Sequence, residues 1–296
     1  MRALVTGGSG FVAGWLVRHL REAGDEVVAI DERVEITDAE ALTAAVVGAR
    51  PDAIYHLAAF THVGRSWDEP REALRVNTVG TLELLLAARQ CAKAPTVLLV
   101  ASAEVYGVVK PNQLPVSEDA PLLPVTPYAA SKVAAEFLGV QAHLGWGLPV
   151  VRVRPFNHIG PGQRTDFVVP AFARRILDAK ASGDKKLAVG NLTARRDFTD
   201  VRDVVRAYRL IVQRGAPGEA YNVCSGTDVS IEEIASRLLR LAGADLTLEV
   251  DESLVRPVEV PVLRGDPAKL RAATGWEPAI PLDRTLADVL AQMGAA

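Results

Sequence analysis

Apolar runs without internal polar alternation recur through the first half of the chain, and segments with helical periodicity separate them. The apolar runs are RALVTG, EVVAID, DAIYHLAA, PTVLLVAS and PVVRVRPF, and the helical segments include GFVAGWLVRHLREAG and DAEALTAAVVGA. Strands of this kind are typical of a parallel sheet that helices cover on both faces. The pattern predicts an α/β fold built on a Rossmann-type doubly wound parallel sheet.

The alternation loosens after residue 156. Loop signals in NHIGPGQRTD lead into the helical segment VVPAFARRILDAK, and DVRDVVRAYRLIVQRG indicates an amphipathic helix that returns to the main sheet. We therefore predict that residues 1–156, together with about 197–224, form the main domain. Residues from about 157–196 and 225–296 are predicted to form a smaller C-terminal α/β lobe that binds the substrate.

The segment VTGGSGFVAG joins the first predicted strand to the first predicted helix. Gly7 permits a tight turn, Gly10 lets the backbone approach a pyrophosphate, and the small Ala13 lets the helix pack against the strand. Asp31 follows about twenty residues further on, where a carboxylate can accept hydrogen bonds from an adenosine ribose. This context predicts a nicotinamide dinucleotide, NAD or NADP. Asp31 favours NAD because it repels a 2′-phosphate, whereas Arg33 could neutralise that phosphate, so the choice stays open with a preference for NAD.

A tyrosine and a lysine four residues apart occur twice, in TPYAASK and in YGVVK. The threonine and proline of the first copy can begin a helix, so that Tyr128 and Lys132 would share one helical face. The second copy contains a glycine and runs into a proline, which disfavours a helical conformation before it. We therefore interpret Tyr128 with Lys132 as the functional pair and Tyr106 with Lys110 as a coincidence.

The functional pair suits proton transfer. A free phenol titrates at about pH 10 and is a poor base at neutral pH until a nearby positive charge favours the phenolate. Lys132 and an oxidised nicotinamide are expected to supply that charge. In the reducing direction Tyr128 would give its proton to a carbonyl oxygen that Ser102, in VASAEVYG after the fourth predicted strand, holds in place.

Composition narrows the classes of partner. The 296 residues carry 33 basic and 36 acidic side chains without a basic block, which argues against nucleic acid. The apolar run at the N-terminus is too short for a signal sequence or a membrane span, so a cytoplasmic protein is expected. The two cysteines, Cys91 and Cys224, lie far apart and the five histidines are scattered, so we expect neither a disulfide nor a metal site.

Nine motifs resemble those of the extended short-chain dehydrogenases/reductases that act on nucleotide sugars, over nearly the whole chain. They are TGGSGFVAG, HLAA, NTVGT, SAEVYG, PYAASK, RPFNHIGPGQ, RRDFTDVRDV, YNVCSG and RPVEVP. Within that family, RPFNHIGPGQ followed by FVVPAFARRI and VGNLTARRDFTDVRDVVRAY is similar to the GDP-mannose branch. This branch includes the GDP-mannose 4,6-dehydratase and the reductase of its product.

Two features of the resemblance favour the reductase. RDFTDVRDVV is similar to the reductase form, and the stretch from AIDERVEITD to PDAIYHLAA lacks an insertion usual in the dehydratases. The resemblance implies NAD(P)H-dependent reduction of the C4 ketone of GDP-4-keto-6-deoxy-D-mannose to GDP-D-rhamnose. Glu104 lies where dehydratases place a catalytic glutamate, so the dehydratase stays an alternative. A nucleotide-sugar epimerase, and a protein that only senses dinucleotide levels, are further alternatives.

The resemblance also assigns roles to residues. Asn157 would contact the sugar or diphosphate, Phe167 and Val168 would line the base pocket, and Glu259 would accept from the nucleotide ribose. Arg196 and Arg256 would neutralise the diphosphate. The full substrate site would comprise Ser102, Asn157, Phe167, Val168, Asn191, Arg196, Arg256 and Glu259. The cofactor site would comprise Gly7, Ser9, Gly10, Phe11, Val12, Asp31, Arg33, Ile36, Leu57, Ala58, Ala59, Asn77, Tyr128, Lys132 and Pro155. Family members suggest a homodimer formed through helices near residues 71–93 and 127–145.

Overall fold

The computed structural model describes residues 1–31, 33–251 and 260–295. The strands within these ranges are β1 (Arg2–Thr6), β2 (Glu26–Ile30), β3 (Ala53–His56), β4 (Thr96–Val100), β5 (Val150–Pro155), β6 (Asn157–Ile159), β7 (Lys186–Val189), β8 (Arg195–Asp200), β9 (Ala220–Val223), β10 (Asp228–Ser230), β11 (Thr247–Val250) and β12 (Val262–Leu263). The α-helices are α1 (Phe11–Glu22), α2 (Ala39–Ala49), α3 (Pro70–Leu74), α4 (Gly80–Arg89), α5 (Pro127–Trp146), α6 (Val168–Ser182), α7 (Val201–Arg214), α8 (Ile231–Ala242), α9 (Ala268–Thr274) and α10 (Leu282–Gly294).

Six strands form one sheet in the order β2-β1-β3-β4-β5-β9, and every neighbouring pair is parallel. The predicted Rossmann-type doubly wound sheet is therefore confirmed. The chain leaves β1 for β2 on one side and later places β3 on the other side of β1. A crevice opens outside the carboxyl ends of the strands at such a reversal, and open α/β sheets bind their ligands there.

Helices cover both faces of this sheet. One face packs against α1, α7 and α9 through a core that includes Val5 and Leu16. The other face packs against α2, α4 and α5 through a core that includes Leu4 and Leu84. Leu4 and Val5 are neighbours in β1 and enter opposite cores, because successive side chains of a strand point to opposite faces. Burial on both faces explains why the strands read as unbroken apolar runs.

A smaller lobe has its own core, in which α6, α8 and α10 pack on short strands. Its strand β8 pairs with β10, β12 and β6. The predicted division of the chain into a cofactor domain and a lobe stays a prediction. Leu270 and Trp276, which that division assigns to the lobe, are fully buried in the core of the main sheet, because α9 packs against α7 and β9.

Asp197 in β8 ties the lobe to the main sheet. Its fully buried carboxylate accepts hydrogen bonds from Ser225 N at 2.8 Å, from Ser225 Oγ at 2.7 Å and from Gly226 N at 2.9 Å. Ser225 and Gly226 lie just after β9, the last strand of the main sheet. Burial raises the pKa of Asp197, and the hydrogen bonds oppose that rise. The neighbouring Arg196 is therefore held at a defined position beside the sheet edge.

The region 71–93 is not one regular helix. A π-helical turn over Arg75–Val79 separates α3 from α4. Such turns insert one extra residue and redirect the backbone groups around them. Asn77 lies in this turn, and its side chain ties the turn to the loop after β3.

Candidate functional site

A cleft of about 970 Å³ runs along the carboxyl edge of the main sheet and reaches the lobe. Its volume lies at the upper end of the range usual for small-molecule sites, about 300–1,000 Å³. The predicted residues that line it are Gly7, Ser9, Gly10, Phe11, Val12, Asp31, Ile36, Leu57, Ala58, Ala59, Ser102, Glu104, Tyr128, Lys132, Pro155, Asn157, Phe167, Val168, Asn191 and Arg196. The fold therefore brings these residues together, while the role of each one stays a prediction.

The glycine segment shapes one end of the cleft. Gly7 has a φ of +70°, and a Cβ added there would lie 2.8 Å from the backbone nitrogen of Ala58. Helix α1 begins at Phe11 behind Gly10, and among the described residues no side chain caps it and no acidic side chain lies in its first turn. The first backbone N–H groups of a helix lack intrahelical partners and attract anions. This cradle fits the pyrophosphate of a nicotinamide dinucleotide.

A buried hydrogen-bonded chain holds the two loops that form this cradle. Ala58 N donates to Thr6 Oγ1 at 3.1 Å, and Thr6 Oγ1 lies 2.8 Å from His56 Nδ1. Thr81 Oγ1 donates to Asn77 O at 2.6 Å and therefore accepts from His56 Nε2 at 3.0 Å. Burial, with a smaller contribution from the charge of Lys132, lowers the pKa of His56 to about 3. The imidazole is therefore a neutral structural link, with its proton on Nε2, rather than an acid or base.

Asp31 lies at the end of β2 on the opposite flank of the glycine loop. Its carboxylate accepts hydrogen bonds from Arg33 Nε at 2.8 Å and from a terminal guanidinium nitrogen of Arg33 at 2.9 Å. These bonds lower the pKa of Asp31. The two residues that the sequence weighs against each other for NAD and NADP are thus paired with one another. Arg33 itself is not among the residues that line the cleft, and its predicted place in the cofactor site stays a prediction.

Ser102 and Tyr128 meet at the reactive end of the cleft. Thr126 caps α5 by accepting from Ala129 N at 3.0 Å, and Pro127 occupies the first turn, as the sequence predicts. This start places Tyr128 in the first turn of α5, where it lines the cleft together with Ser102. Ser102 also accepts from Glu104 N at 3.2 Å, which fixes the turn that follows β4.

The pKa of Tyr128 differs from the value expected for a tyrosine beside Lys132. Burial raises the pKa of Tyr128 to about 12, the Ser102 side chain opposes this rise, and the charge of Glu104 adds to it. Lys132 Nζ lies 6.0 Å from the centroid of the Tyr128 ring and donates to Val100 O at 2.9 Å. The expected lowering of the Tyr128 pKa is therefore not seen in the protein alone, because burial is the largest cause of the shift and raises it. A phenol that keeps its proton at neutral pH is suited to proton donation.

Lys132 is buried one turn further along α5, with 6% of its surface exposed. Burial lowers the pKa of Lys132 to about 8. Its charge is therefore sensitive to pH in a range where that of an ordinary lysine is not. The protonation state of Lys132 and not that of Tyr128 changes near neutral pH.

Three more predicted residues lie off the cleft or outside the described ranges. The buried Asn77 does not line the cleft, because its amide is used by Phe60 N at 2.8 Å, Phe60 O at 3.1 Å and Ser131 Oγ at 2.8 Å. It therefore braces the loop after β3 against α5, and its role in the cofactor site stays a prediction. Arg256 and Glu259 lie outside the described residues.

The cleft also contains residues that the motifs alone do not single out. Arg164, Arg175, His158, Gln163, Tyr208 and the segment 61–64 also line the cleft. His158 stacks on Phe11 with 6.4 Å between ring centroids, and Gln163 Nε2 donates to His158 O at 3.1 Å. Both lie inside RPFNHIGPGQ, so that motif carries a signal for them. Arg175 lies seven residues after Val168 in α6, a spacing that places both on one helical face.

The described part of the chain has neither a cluster of metal-ligating side chains nor a membrane-spanning helix. No group of three or more histidine, cysteine, aspartate or glutamate side chains there could hold a metal ion. None of the helices there is both long enough and apolar enough to cross a bilayer.

Comparison with known proteins gives consistent matches. The family model described as GDP-mannose 4,6 dehydratase matches residues 32–289. A GDP-6-deoxy-D-mannose reductase of Pseudomonas aeruginosa is 37% identical over 292 residues, which cover 98% of this chain and 96% of that protein. A GDP-6-deoxy-D-talose 4-dehydrogenase of Aggregatibacter actinomycetemcomitans is 32% identical over 279 residues, 93% of this chain and 92% of that protein. The structure of RMD from Pseudomonas aeruginosa complexed with NADPH superposes with a TM-score of 0.92 at 36% identity, covering 100% of this chain and 99% of that one.

Proposed function

Because this chain belongs to the GDP-mannose 4,6-dehydratase family of extended short-chain dehydrogenases/reductases, we propose that it reduces the C4 ketone of GDP-4-keto-6-deoxy-D-mannose to GDP-D-rhamnose. The protein is an NAD(P)-dependent oxidoreductase of nucleotide sugars. The observation that carries the finer proposal is that Tyr128, protonated at neutral pH, lines the cleft together with Ser102. The near full-length similarity to a GDP-6-deoxy-D-mannose reductase supports the choice of substrate.

Ser102, Tyr128 and Lys132 each have a separate role in the proposed ketone reduction. The bound nicotinamide, when reduced, supplies the hydride. Ser102 holds the carbonyl oxygen, and the Tyr128 phenol donates a proton to the alkoxide oxygen that forms there. Lys132 stabilises the phenolate that Tyr128 becomes after donating, because a positive charge favours a neighbouring anion. Each of these steps uses a group that the cleft holds in place.

Cationic side chains on the lobe suit a diphosphate. Arg196 and Arg175 line the cleft, on β8 and α6 respectively. Guanidinium groups bind phosphate oxygens through paired N–H donors, and this geometry favours arginine over lysine. We propose that Arg196 and Asn157 contact the diphosphate sugar and that Phe167 and Val168 border its base. Arg256 and Glu259 keep their predicted roles from the resemblance.

A 4,6-dehydratase is the second candidate, and Glu104 is the observation that favours it. Glu104 lines the cleft and its charge acts on Tyr128. A dehydratase needs a carboxyl group to move protons while water leaves the sugar, and a reductase does not. A carboxylate at this place is therefore required for a dehydratase and is tolerated by a reductase.

One assay separates the candidates. The purified protein is incubated with GDP-mannose alone, and separately with GDP-4-keto-6-deoxy-D-mannose plus NADH or NADPH, while the absorbance of the reduced nicotinamide is followed. Consumption of reductant only with the keto sugar supports the reductase. Loss of water from GDP-mannose without added reductant, detected by mass spectrometry, overturns it in favour of the dehydratase. NMR of the product distinguishes GDP-D-rhamnose from its C4 epimer, the GDP-6-deoxy-D-talose named for one relative.

A Glu104→Gln variant sharpens this assay. If the protein is the reductase, the variant keeps a kcat near that of the wild type, because no proton passes through Glu104. If it is the dehydratase, removing a general acid or base lowers the rate by about 10²–10⁴-fold. A large loss of ketone reduction in the variant would contradict the roles assigned above.

Ketone reduction should lose rate as the pH rises through about 8. Lys132 has a pKa lowered to about 8, so it loses its charge in that range, while Tyr128, with a pKa of about 12, keeps its proton. We expect kcat/KM to fall at alkaline pH, since this ratio reports the pKa values of the free enzyme. The control is Lys132→Arg, which stays charged: its residual activity should show no such fall. An unchanged alkaline fall in the arginine variant would assign it to another group.

The cofactor preference rests on Asp31. We propose that the wild-type protein uses NADH better than NADPH, and that Asp31→Asn raises the ratio of kcat/KM for NADPH over NADH by about tenfold, because it removes a charge that repels the 2′-phosphate. Steady-state kinetics with both cofactors measure this ratio. The control is Asp52→Asn, which alters a carboxylate paired with Lys93 away from the cleft. A wild-type protein that prefers NADPH contradicts the proposal.

We also propose that two copies of the chain form a homodimer through the surface of α3, α4 and α5. Apolar side chains are exposed along this surface: Leu74, Val79, Phe137 and Leu144. Exposed apolar patches on helices favour burial against a partner. A Phe137→Glu and Leu144→Glu double variant should sediment as a monomer, whereas Leu123→Glu, at an exposed leucine in a loop, should leave the mass unchanged. A wild-type monomer would rule this interface out.

A further inference from the structure

Tyr208 in α7 carries a hydroxyl that the proposed chemistry does not use. The side chain is fully buried in the core of the main sheet, and it also borders the cleft. Within the described residues its Oη has no hydrogen-bond partner. Tyr208 therefore borders the cleft and carries a buried hydroxyl without a partner among the described residues.

A buried hydroxyl without a partner is costly. Transfer of the group from water is unfavourable unless a hydrogen bond replaces those lost, and phenylalanine would fill the same space without that cost. The cost of burying the Tyr208 hydroxyl is removed if a partner reaches its Oη in another state of the protein. A ligand in the cleft is the partner that the position offers.

The position of Tyr208 points to the reactive end. It approaches the carboxyl edge of the sheet from the face covered by α1 and α7, whereas Tyr128 approaches from the face covered by α5. The two phenols are close enough that a charge on Tyr128 would raise the pKa of Tyr208, in addition to the rise caused by burial. A ligand group at this end would lie between two tyrosines from opposite faces of the sheet.

We propose that Tyr208 Oη binds the carboxamide of the nicotinamide ring. The carboxamide is the polar group at the reactive end of the cofactor, and it offers both an N–H donor and a carbonyl acceptor to a hydroxyl that can do either. This bond would fix the rotation of the ring and so choose the face from which hydride leaves. A small outward movement of the cleft wall as the cofactor binds would bring the two groups into contact.

Tyr208→Phe tests the assignment without the sugar. It deletes one oxygen, so the fold should be kept, with a melting temperature in the absence of cofactor that is equal to or above that of the wild type. The affinity for NADH and NADPH, measured by titration calorimetry, should weaken by about three- to tenfold, the value of one neutral hydrogen bond. The affinity for ADP-ribose, which lacks the nicotinamide, should not change.

The matched control is Tyr55→Phe. Tyr55 is fully buried in the same core, and its Oη likewise has no partner within the described residues, but it does not line the cleft. Burial raises the pKa of Tyr55, and the charge of Asp25 adds to this rise. Asp25 lies just before β2, at the amino-terminal edge of the sheet and opposite the carboxyl edge that forms the cleft. This variant should bind NADH, NADPH and ADP-ribose as the wild type does.

Three outcomes would overturn the assignment. They are unchanged NADH affinity in Tyr208→Phe, an equal loss for ADP-ribose, and an equal loss in Tyr55→Phe. The test is independent of the proposed sugar substrate, because it measures cofactor binding alone. Failure of the reductase proposal would therefore leave its result interpretable.

Discussion

Tyr128→Phe should lower kcat for ketone reduction by about 10²–10⁴-fold while the cofactor still binds with near wild-type affinity. The phenylalanine ring fills the same space in the first turn of α5, but it has no proton to give to the carbonyl oxygen that Ser102 holds. Steady-state kinetics and a titration with the reduced cofactor measure the two quantities separately. Activity that survives the substitution would show that another group donates the proton.

Tyr106→Phe is the matched control for this prediction, since Tyr106 begins the second tyrosine–lysine copy. Its hydroxyl donates to Asn222 Oδ1 at 2.7 Å and accepts from Arg154 at 2.9 Å, and it does not line the cleft. The variant should keep kcat near that of the wild type but lose about 1–3 kcal/mol of unfolding free energy, because buried partners are left without a hydrogen bond. A loss of activity without a loss of stability would reverse the interpretation of the two copies.

Gly7→Ala should weaken cofactor binding by at least about tenfold and lower the stability of the protein. At a φ of +70° an alanine is strained, and its Cβ would lie 2.8 Å from Ala58 N and 2.9 Å from Ala58 Cα. Backbone atoms cannot move aside as a flexible side chain can, so the loops after β1 and β3 must separate. Titration with NADH or NADPH and thermal unfolding measure the two effects.

Gly14→Ala provides the control in the same segment. A Cβ added at Gly14 meets no atom within 4 Å, and the residue lies inside α1. Alanine is favoured over glycine in a helix interior by about 0.5–1 kcal/mol, so this variant should be slightly more stable and bind the cofactor normally. If both variants bind equally well, the close approach of Gly7 to Ala58 does not shape the cofactor site.

Local patterns carried the prediction of the catalytic pair. The choice between the two tyrosine–lysine copies needed only a cap, a proline and a glycine, and α5 does begin behind Thr126. Around the second copy, Gly107 has a φ of +62° and Lys110 is extended, so its spacing has no helical meaning. Chain-local sterics decide such features, and they can therefore be read from a few neighbouring residues.

Long-range packing limited the prediction of the cofactor site. Asn77 was assigned to the cofactor by resemblance, yet its amide is consumed by the Phe60 backbone and Ser131. Arg33 was considered as a ligand for a 2′-phosphate. In the structure it forms an ion pair with Asp31 and is not among the residues that line the cleft. The partner of a polar side chain depends on which loops meet in space, and no spacing along the chain encodes that.

Local sequence patterns were sufficient to predict the parallel sheet, the glycine cradle after β1, and the helix that presents Tyr128 and Lys132. Each of these depends on hydrophobic period, caps and backbone freedom within a short segment. Only the tertiary structure decided that Tyr128 keeps its proton, that Lys132 titrates at about pH 8, and that Tyr208 reaches the cleft from the opposite face. These properties arise from burial and from contacts between segments far apart in the chain, because desolvation depends on everything that surrounds a group.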